Sequence, residues 1–270
     1  MGQDLLLLQA VAGAVALTIL AGPAAACEGL RDGPKGTVTQ IVDGDTLMLD
    51  TGLVVRLIGI QAPHLALGRE GMTDWPKGED AKAALQSIAL GQPVLLRYGG
   101  ADRDRYGRTL AQVYLGGDDK RWVQQQMLSG DMARVYTFPD NRACAAELYA
   151  AERTARANRI GIWADPEYTV RSAARPDLLV SRVGRFELVE GRVLEAEKTG
   201  GRVYLNFGRL FKEDFTAVID ARALKLFAGE KLDPLALTGA LVRVRGWIDL
   251  SGGPRLTLTH PEQIEIVAQP

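Results

Sequence analysis

The chain has 270 residues, enough for one or two domains, with 47% hydrophobic and 24% charged residues and a formal net charge of −1. Such a balance is ordinary for a globular protein and excludes capture of polyanions by overall charge, so any phosphate site must be a local basic cleft. The sequence also lacks a Cys-x-x-Cys pair, a Gly-x-Ser-x-Gly elbow, a phosphate loop and a histidine cluster, which sets aside those chemistries.

Residues 5–22 form an apolar run followed by Pro23-Ala24-Ala25-Ala26 and Cys27. That pattern predicts a secretory signal over residues 1–26, although no Lys or Arg precedes the run. It implies a periplasmic or secreted protein with no membrane span beyond the signal. Cys27 has three possible fates: a disulfide to Cys144, the only other cysteine; lipid attachment, for which Ala24-Ala25-Ala26-Cys27 is a poor box; or none, with Cys144 a small buried hydrophobe.

Beyond the signal, 37–42, 46–49 and 53–60 alternate as strands around the turns Asp43-Gly44-Asp45 and Asp50-Thr51-Gly52. Residues 78–90 carry Ala81, Ala84, Leu85, Ile88 and Ala89 on one helical face. Strands are predicted at 94–98 and 108–114, a short helix at 122–129 and an Ala-rich helix at 143–157. Three strands, a helix and two strands fit a five-stranded OB-type barrel with helical cover, spanning 36–165. A polar connection, 166–184, leads to a second unit at 185–270. Its strands at 186–197, 202–207, 215–219, 241–247 and 255–259, with a helix at 221–227, repeat the same order. The fold class is therefore mainly β with helices: an OB-type barrel followed by a second, OB-like β domain.

Three short words stand in order within the first unit: Val42-Asp43-Gly44-Asp45-Thr46, Val55-Arg56-Leu57-Ile58-Gly59-Ile60-Gln61-Ala62-Pro63 and Asp104-Arg105-Tyr106-Gly107-Arg108. Asp-Gly-Asp alone is ordinary turn chemistry. Arg56 is more telling, because a charge inside the apolar run 53–58 is costly without a partner, either a structural carboxylate or a bound anion. Arg108 follows a glycine that permits a tight turn.

Taken together the words resemble the staphylococcal-nuclease-like (thermonuclease) family, whose members cut phosphodiester bonds in DNA and RNA. The resemblance covers 36–163 and implies the OB-type barrel. It implies a calcium site at Asp45, Thr46 and Gln61, phosphate-binding roles for Arg56 and Arg108, and a substrate-lining Tyr106. Nucleic acid is the implied partner and Ca2+ the implied cofactor. A second tyrosine of the family falls near Tyr136, in a register the sequence does not fix. The second unit resembles the C-terminal domain of some exported thermonuclease-like proteins, in Tyr204-Leu205-Asn206-Phe207-Gly208 and Thr259-His260-Pro261-Glu262.

Two positions depart from the family pattern. Gln61 stands where the family has a second calcium-binding aspartate, which removes one negative charge from the site. His64 stands in place of the glutamate near the attacking water. A histidine can act as a base near neutral pH, contact phosphate or metal, or simply sit at the surface. Glu70 and Glu79 lie downstream with nothing to place them at the site. The expectation is weak or altered cleavage, or a binding module that kept the fold without the chemistry.

Overall fold

The computed structural model describes residues 27–116, 121–210 and 212–270; the signal segment expected at 1–26 lies outside them. The chain is mainly β. Strands β1 (Arg31–Asp43), β2 (Thr46–Leu49), β3 (Val54–Leu57), β5 (Pro93–Tyr98) and β6 (Thr109–Leu115) close into a barrel in the order β1-β2-β3-β6-β5. Closure depends on β1 serving two partners. Its first half pairs with β5 and its second half with β2, and register shifts bend the strand within each stretch. Leu47, Leu49, Val55, Leu57, Leu96 and Val113 fill the interior, and α1 (Gly78–Ala89) adds Ala81, Leu85 and Ala89 to that core.

The run predicted as one strand, 53–60, divides. After β3, Gly59 takes a left-handed φ of 89°, and a Cβ there would lie 2.5 Å from the Leu148 side chain of α3 (Ala145–Asn158). The chain leaves the barrel at this point as β4 (Gly59–Gln61) and pairs with β7 (Arg134–Tyr136). Strand β7 and the turn before it follow helix α2 (Val123–Ser129). Cys144 precedes α3 and is disulfide-bonded to Cys27. The bridge closes a loop of 117 residues, a separation for which loop-closure entropy gives about 5 kcal/mol of stabilisation.

The connecting segment is more folded than its polar sequence suggests. It holds β8 (Arg171–Ser172), α4 (Pro176–Val180) and the buried Tyr168. Arg171 and Arg182 both pair with the buried Glu187, and Arg182 and Arg185 with Glu167.

The second sheet comprises β9 (Phe186–Arg192), β10 (Glu195–Thr199), β11 (Arg202–Asn206), β12 (Thr216–Ile219), β13 (Leu241–Ser251), β14 (Gly253–Leu258) and β15 (Ile264–Ala268), with α5 (Leu224–Gly229) between β12 and β13. Its order is β10-β11-β12-β14-β13-β9-β8, and β15 also pairs with β13. The single strand predicted at 186–197 breaks at Val193-Leu194, so that β9 joins β13 while β10 joins β11. Two consecutive strands thus serve the two ends of a curled sheet, a task that β1 performs alone in the first barrel. Each unit contains one comparable parallel pair, β3 with β6 in the first and β12 with β14 in the second.

The two cores meet across a polar seam. Arg245, 1% exposed, donates to Glu152 Oε2 at 2.8 Å, to the Val135 carbonyl at 3.0 Å and to Glu265 at 2.5 Å. These carboxylates hold its pKa above the ordinary value although burial alone would lower it. His260 bridges Thr137 and Thr259, and Arg142 reaches Glu262 and Glu230.

A candidate phosphodiester site at the mouth of the first barrel

The turn between β1 and β2 fixes the first part of the site. The Asp43 carboxylate accepts the Asp45 amide at 3.1 Å, an Asx-type closure. Gly44 has a definite steric role: a Cβ would lie 2.6 Å from the Ala62 Cβ and 2.7 Å from the Ala81 Cβ. Asp45 is buried beneath this turn. Its Oδ2 accepts the Ala62 amide at 3.0 Å and pairs with Arg56 Nη2 at 3.0 Å, and its Oδ1 accepts the Thr46 hydroxyl at 3.2 Å.

Pairing of β2 with β3 sets Thr46 opposite Arg56. The Arg56 guanidinium donates to the carbonyls of Leu57 at 2.5 Å and Ile60 at 2.9 Å. The partner that its apolar sequence context demands is therefore Asp45 together with backbone carbonyls. Burial pushes the Asp45 carboxyl up to about 7; Arg56 opposes that rise and Asp43 adds to it. Two carboxylates so close in a desolvated turn repel one another, and either a proton or a cation relieves the strain.

Arg108 stands at the entrance of β6, parallel to and beside β3. Asp104 organises its loop: Oδ1 accepts the amides of Tyr106 and Arg108, and Oδ2 accepts Arg108 Nε at 2.7 Å. Burial would raise the Asp104 carboxyl, but these hydrogen bonds hold it below the usual range. The Arg108 side chain is about one-third exposed, and Tyr106, 70% exposed, lies alongside it.

His64 follows β4 and is half-buried, edge-on to Trp75 at 4.8 Å, with Nδ1 buried and unpartnered. Desolvation lowers its pKa; Asp43 opposes this, while Arg56, Arg69 and Arg108 reinforce it. The same charges that would grip a phosphate are thus within electrostatic reach of the imidazole. Glu70 and Glu79 are exposed, on the loop before α1 and in its first turn.

Gln61 is buried, and its amide oxygen accepts both Nε and Nη2 of Arg134, at 3.2 and 3.1 Å. Arg134 is buried too, over the rings of Trp75, Tyr168 and Phe186. Burial lowers its pKa to about 10. Arg134 carries the same sequence signal as Arg56, a cation within an apolar run, here Met132-Ala133-Arg134-Val135-Tyr136.

The family model for staphylococcal nuclease homologues matches residues 54–165. Over 164 residues the chain is 35% identical to protein ParB of Escherichia coli, covering 57% of this chain and 83% of that one. It is 33% identical over 141 residues to the micrococcal nuclease of Shigella flexneri, covering 49% and 75% respectively. The chain belongs to the staphylococcal nuclease family. A thermonuclease from Staphylococcus intermedius is 28% identical over 134 residues, 48% of this chain and 77% of that one. Nucleases of this family of the thermonuclease type depend on calcium. Among the described residues no three His, Cys, Asp or Glu side chains converge as a metal site would require. What this family member offers is the mutually repelling pair Asp43 and Asp45 with the Thr46 hydroxyl, a donor set of hard oxygens that fits a divalent cation held by fewer charges than three carboxylates would supply. No helix among the described residues is long and apolar enough to cross a membrane.

Proposed function

We propose that this protein hydrolyses phosphodiester bonds of DNA or RNA at the Asp45–Arg56–His64–Arg108 corner, more slowly than a site with a full acidic complement. The observation that carries the proposal is the Arg56–Asp45 pair, buried next to Asp43, on a strand that runs beside β6 and so beside the loop that ends in Arg108. Arg56 and Arg108 grip the phosphate oxygens, Arg108 by exchanging its Asp104 partner for the substrate. Tyr106 lines the approach. Asp45 and Thr46 hold the cation, and Gln61 joins them only when its oxygen is released by Arg134. When bound, the cation neutralises the phosphate and makes water easier to deprotonate. His64 accepts the proton from that water, since its lowered pKa keeps the ring neutral near pH 7. The disulfide between Cys27 and Cys144 supports export to an oxidising compartment, and it occupies the sulfur that a lipid would need.

A second reading rests on one observation: the amide oxygen at the position of the lost aspartate is committed to Arg134. On that reading the protein binds nucleic acid or an envelope partner without cutting. Cleavage of single-stranded DNA and RNA in calcium, in manganese and in EDTA separates the two, with an Arg56→Ala/Arg108→Ala double variant alongside. Metal-dependent cutting that the double variant lacks supports the enzyme. A folded protein that binds but never cuts supports the binding module.

A further inference from the structure

A line of aromatic side chains leads away from the candidate site and crosses onto the curled sheet of the second unit. It begins where His64 meets Trp75. Arg134 lies over Trp75 at 6.0 Å and over Phe186 at 4.8 Å. Phe186 packs edge-on to Tyr136 at 4.8 Å and to Trp247 at 6.1 Å, and Tyr136 meets Phe138 at 4.6 Å. Phe186 and Trp247 belong to the second sheet, where they sit directly opposite one another on β9 and β13.

Within this line Trp247 is singular. Phe186 is buried and Trp75, Tyr136 and Phe138 are half-buried, whereas Trp247 is 43% exposed. Its indole N–H donates to the Tyr136 hydroxyl at 3.1 Å, so an exposed ring is held in one orientation by the other barrel. An isolated exposed tryptophan needs no explanation. One that is fixed by a hydrogen bond, backed by aromatic rings and continuous with a cluster of arginines is different. It is preorganised, and its surroundings combine cations at one end with a flat apolar face at the other.

We propose that Trp247 is a stacking platform for a nucleobase, and that single-stranded nucleic acid runs from the arginine corner over Trp75 and Tyr136 onto the second barrel. The inference rests on the phosphodiester reading of that corner. A single strand is the occupant whose chemistry alternates anionic phosphates with unpaired π faces; in a duplex those faces are stacked on one another and hidden. The second barrel would thereby extend the substrate site instead of merely bracing the first.

The test is binding, kept separate from cleavage. Anisotropy of labelled dT12 and of an abasic 12-mer with the same phosphates is measured in EDTA, for the full chain and for Trp247→Ala and Trp247→Phe. The expected result is tighter binding of dT12 than of the abasic strand. Trp247→Ala should weaken dT12 by about 5- to 140-fold, equivalent to about 1–3 kcal/mol of stacking, and leave abasic binding unchanged. Trp247→Phe should recover most of the loss. If Trp247→Ala weakens both strands equally, or neither, the platform is overturned. Should the alanine variant not fold, photocrosslinking of a 5-iodouracil 12-mer to the unaltered protein replaces it, and crosslinks that avoid the peptide holding Trp247 overturn the proposal. Unaltered protein that binds both strands equally sinks the platform alone. Protein that binds neither strand, in EDTA or in calcium, sinks the phosphodiester reading with it.

Discussion

In the first barrel the turn joining its first two strands reads Asp43-Gly44-Asp45; in the second the corresponding turn is Thr199-Gly200-Gly201. The third strand of the first barrel carries Arg56, whereas β12 of the second is Thr216-Ala217-Val218-Ile219 and wholly buried. Near the start of β6 and of β14, the strands that run parallel to the third, an arginine clasps an aspartate: Arg108 with Asp104, and Arg255 with Asp249. Arg108 leads into the strand that pairs with β3, and β3 carries Arg56, whose guanidinium holds the buried Asp45. Two units with one strand order therefore differ in whether their turns and third strand carry charge. Topology supplies the scaffold, and the proposed function depends on a handful of side chains at one mouth.

The largest effect should come from separating the barrels. Glu152→Ala leaves Arg245 buried with one of its charge partners gone, which should lower unfolding stability by about 3–5 kcal/mol. Urea unfolding followed by tryptophan fluorescence checks it; an unchanged midpoint would mean that the two cores do not depend on this seam. The next contrast is functional. Arg108→Ala should cut the metal-dependent cleavage rate about 10²–10³-fold, the usual cost of a preorganised donor to a developing charge. Arg255→Ala, its positional counterpart in the second barrel, should leave the rate unaltered. Equal losses in the two variants would erase the functional difference between the barrels.

Much of this was legible in the sequence, and the gaps have physical causes. Helix α1 and strands β5 and β6 fall where periodicity puts them, because each has a buried face against one core. The runs 53–60 and 186–197 look continuous, yet each divides where the chain changes partners, a tertiary event that alternation alone cannot reveal. β7, β8 and β15 are too short or too exposed to stand out. At the site, the resemblance carried by the three motifs named Asp45, Arg56, His64 and Arg108, and the fold places Asp45 against Arg56. It could not show that Gln61 faces Arg134, since residues 73 apart meet only through the pairing of β4 with β7.

The seam also makes the union of the barrels sensitive to acid. Burial lowers His260 to about 4 from an ordinary 6.5; Arg142 reinforces the shift and Asp140 opposes it. The neutral ring is the form that folds, so its stabilisation is complete above pH 6.5 and is lost as pH falls from 6.5 toward 4. Over that window the loss amounts to about 3 kcal/mol. Other carboxylates titrate there too, so the informative quantity is the difference between the unaltered protein and His260→Gln. Urea midpoints at pH 7 and pH 4.5 should show the unaltered protein losing more. Parallel losses would remove His260 as the acid-sensitive element of the seam.

The smallest contrast concerns the two glycine turns, and it tests whether the first is shaped by function. At Gly200 the backbone is left-handed, φ 59°, and a Cβ would meet nothing within 4 Å. Gly200→Ala should therefore cost only the conformational penalty, about 1 kcal/mol, with no change in cleavage. At Gly44 the obstacle is contact: Ala62 on one side and Ala81 of α1 on the other. Gly44→Ala must push the turn outward at about 1–3 kcal/mol, and the displacement carries Asp43 and Asp45 with it. Cleavage should then fall further than stability does, and added calcium should not restore it at concentrations that saturate the unaltered protein. If Gly44→Ala and Gly200→Ala behave alike in both assays, the packing of Ala62 and Ala81 around the aspartates is ordinary core packing without a share in the chemistry.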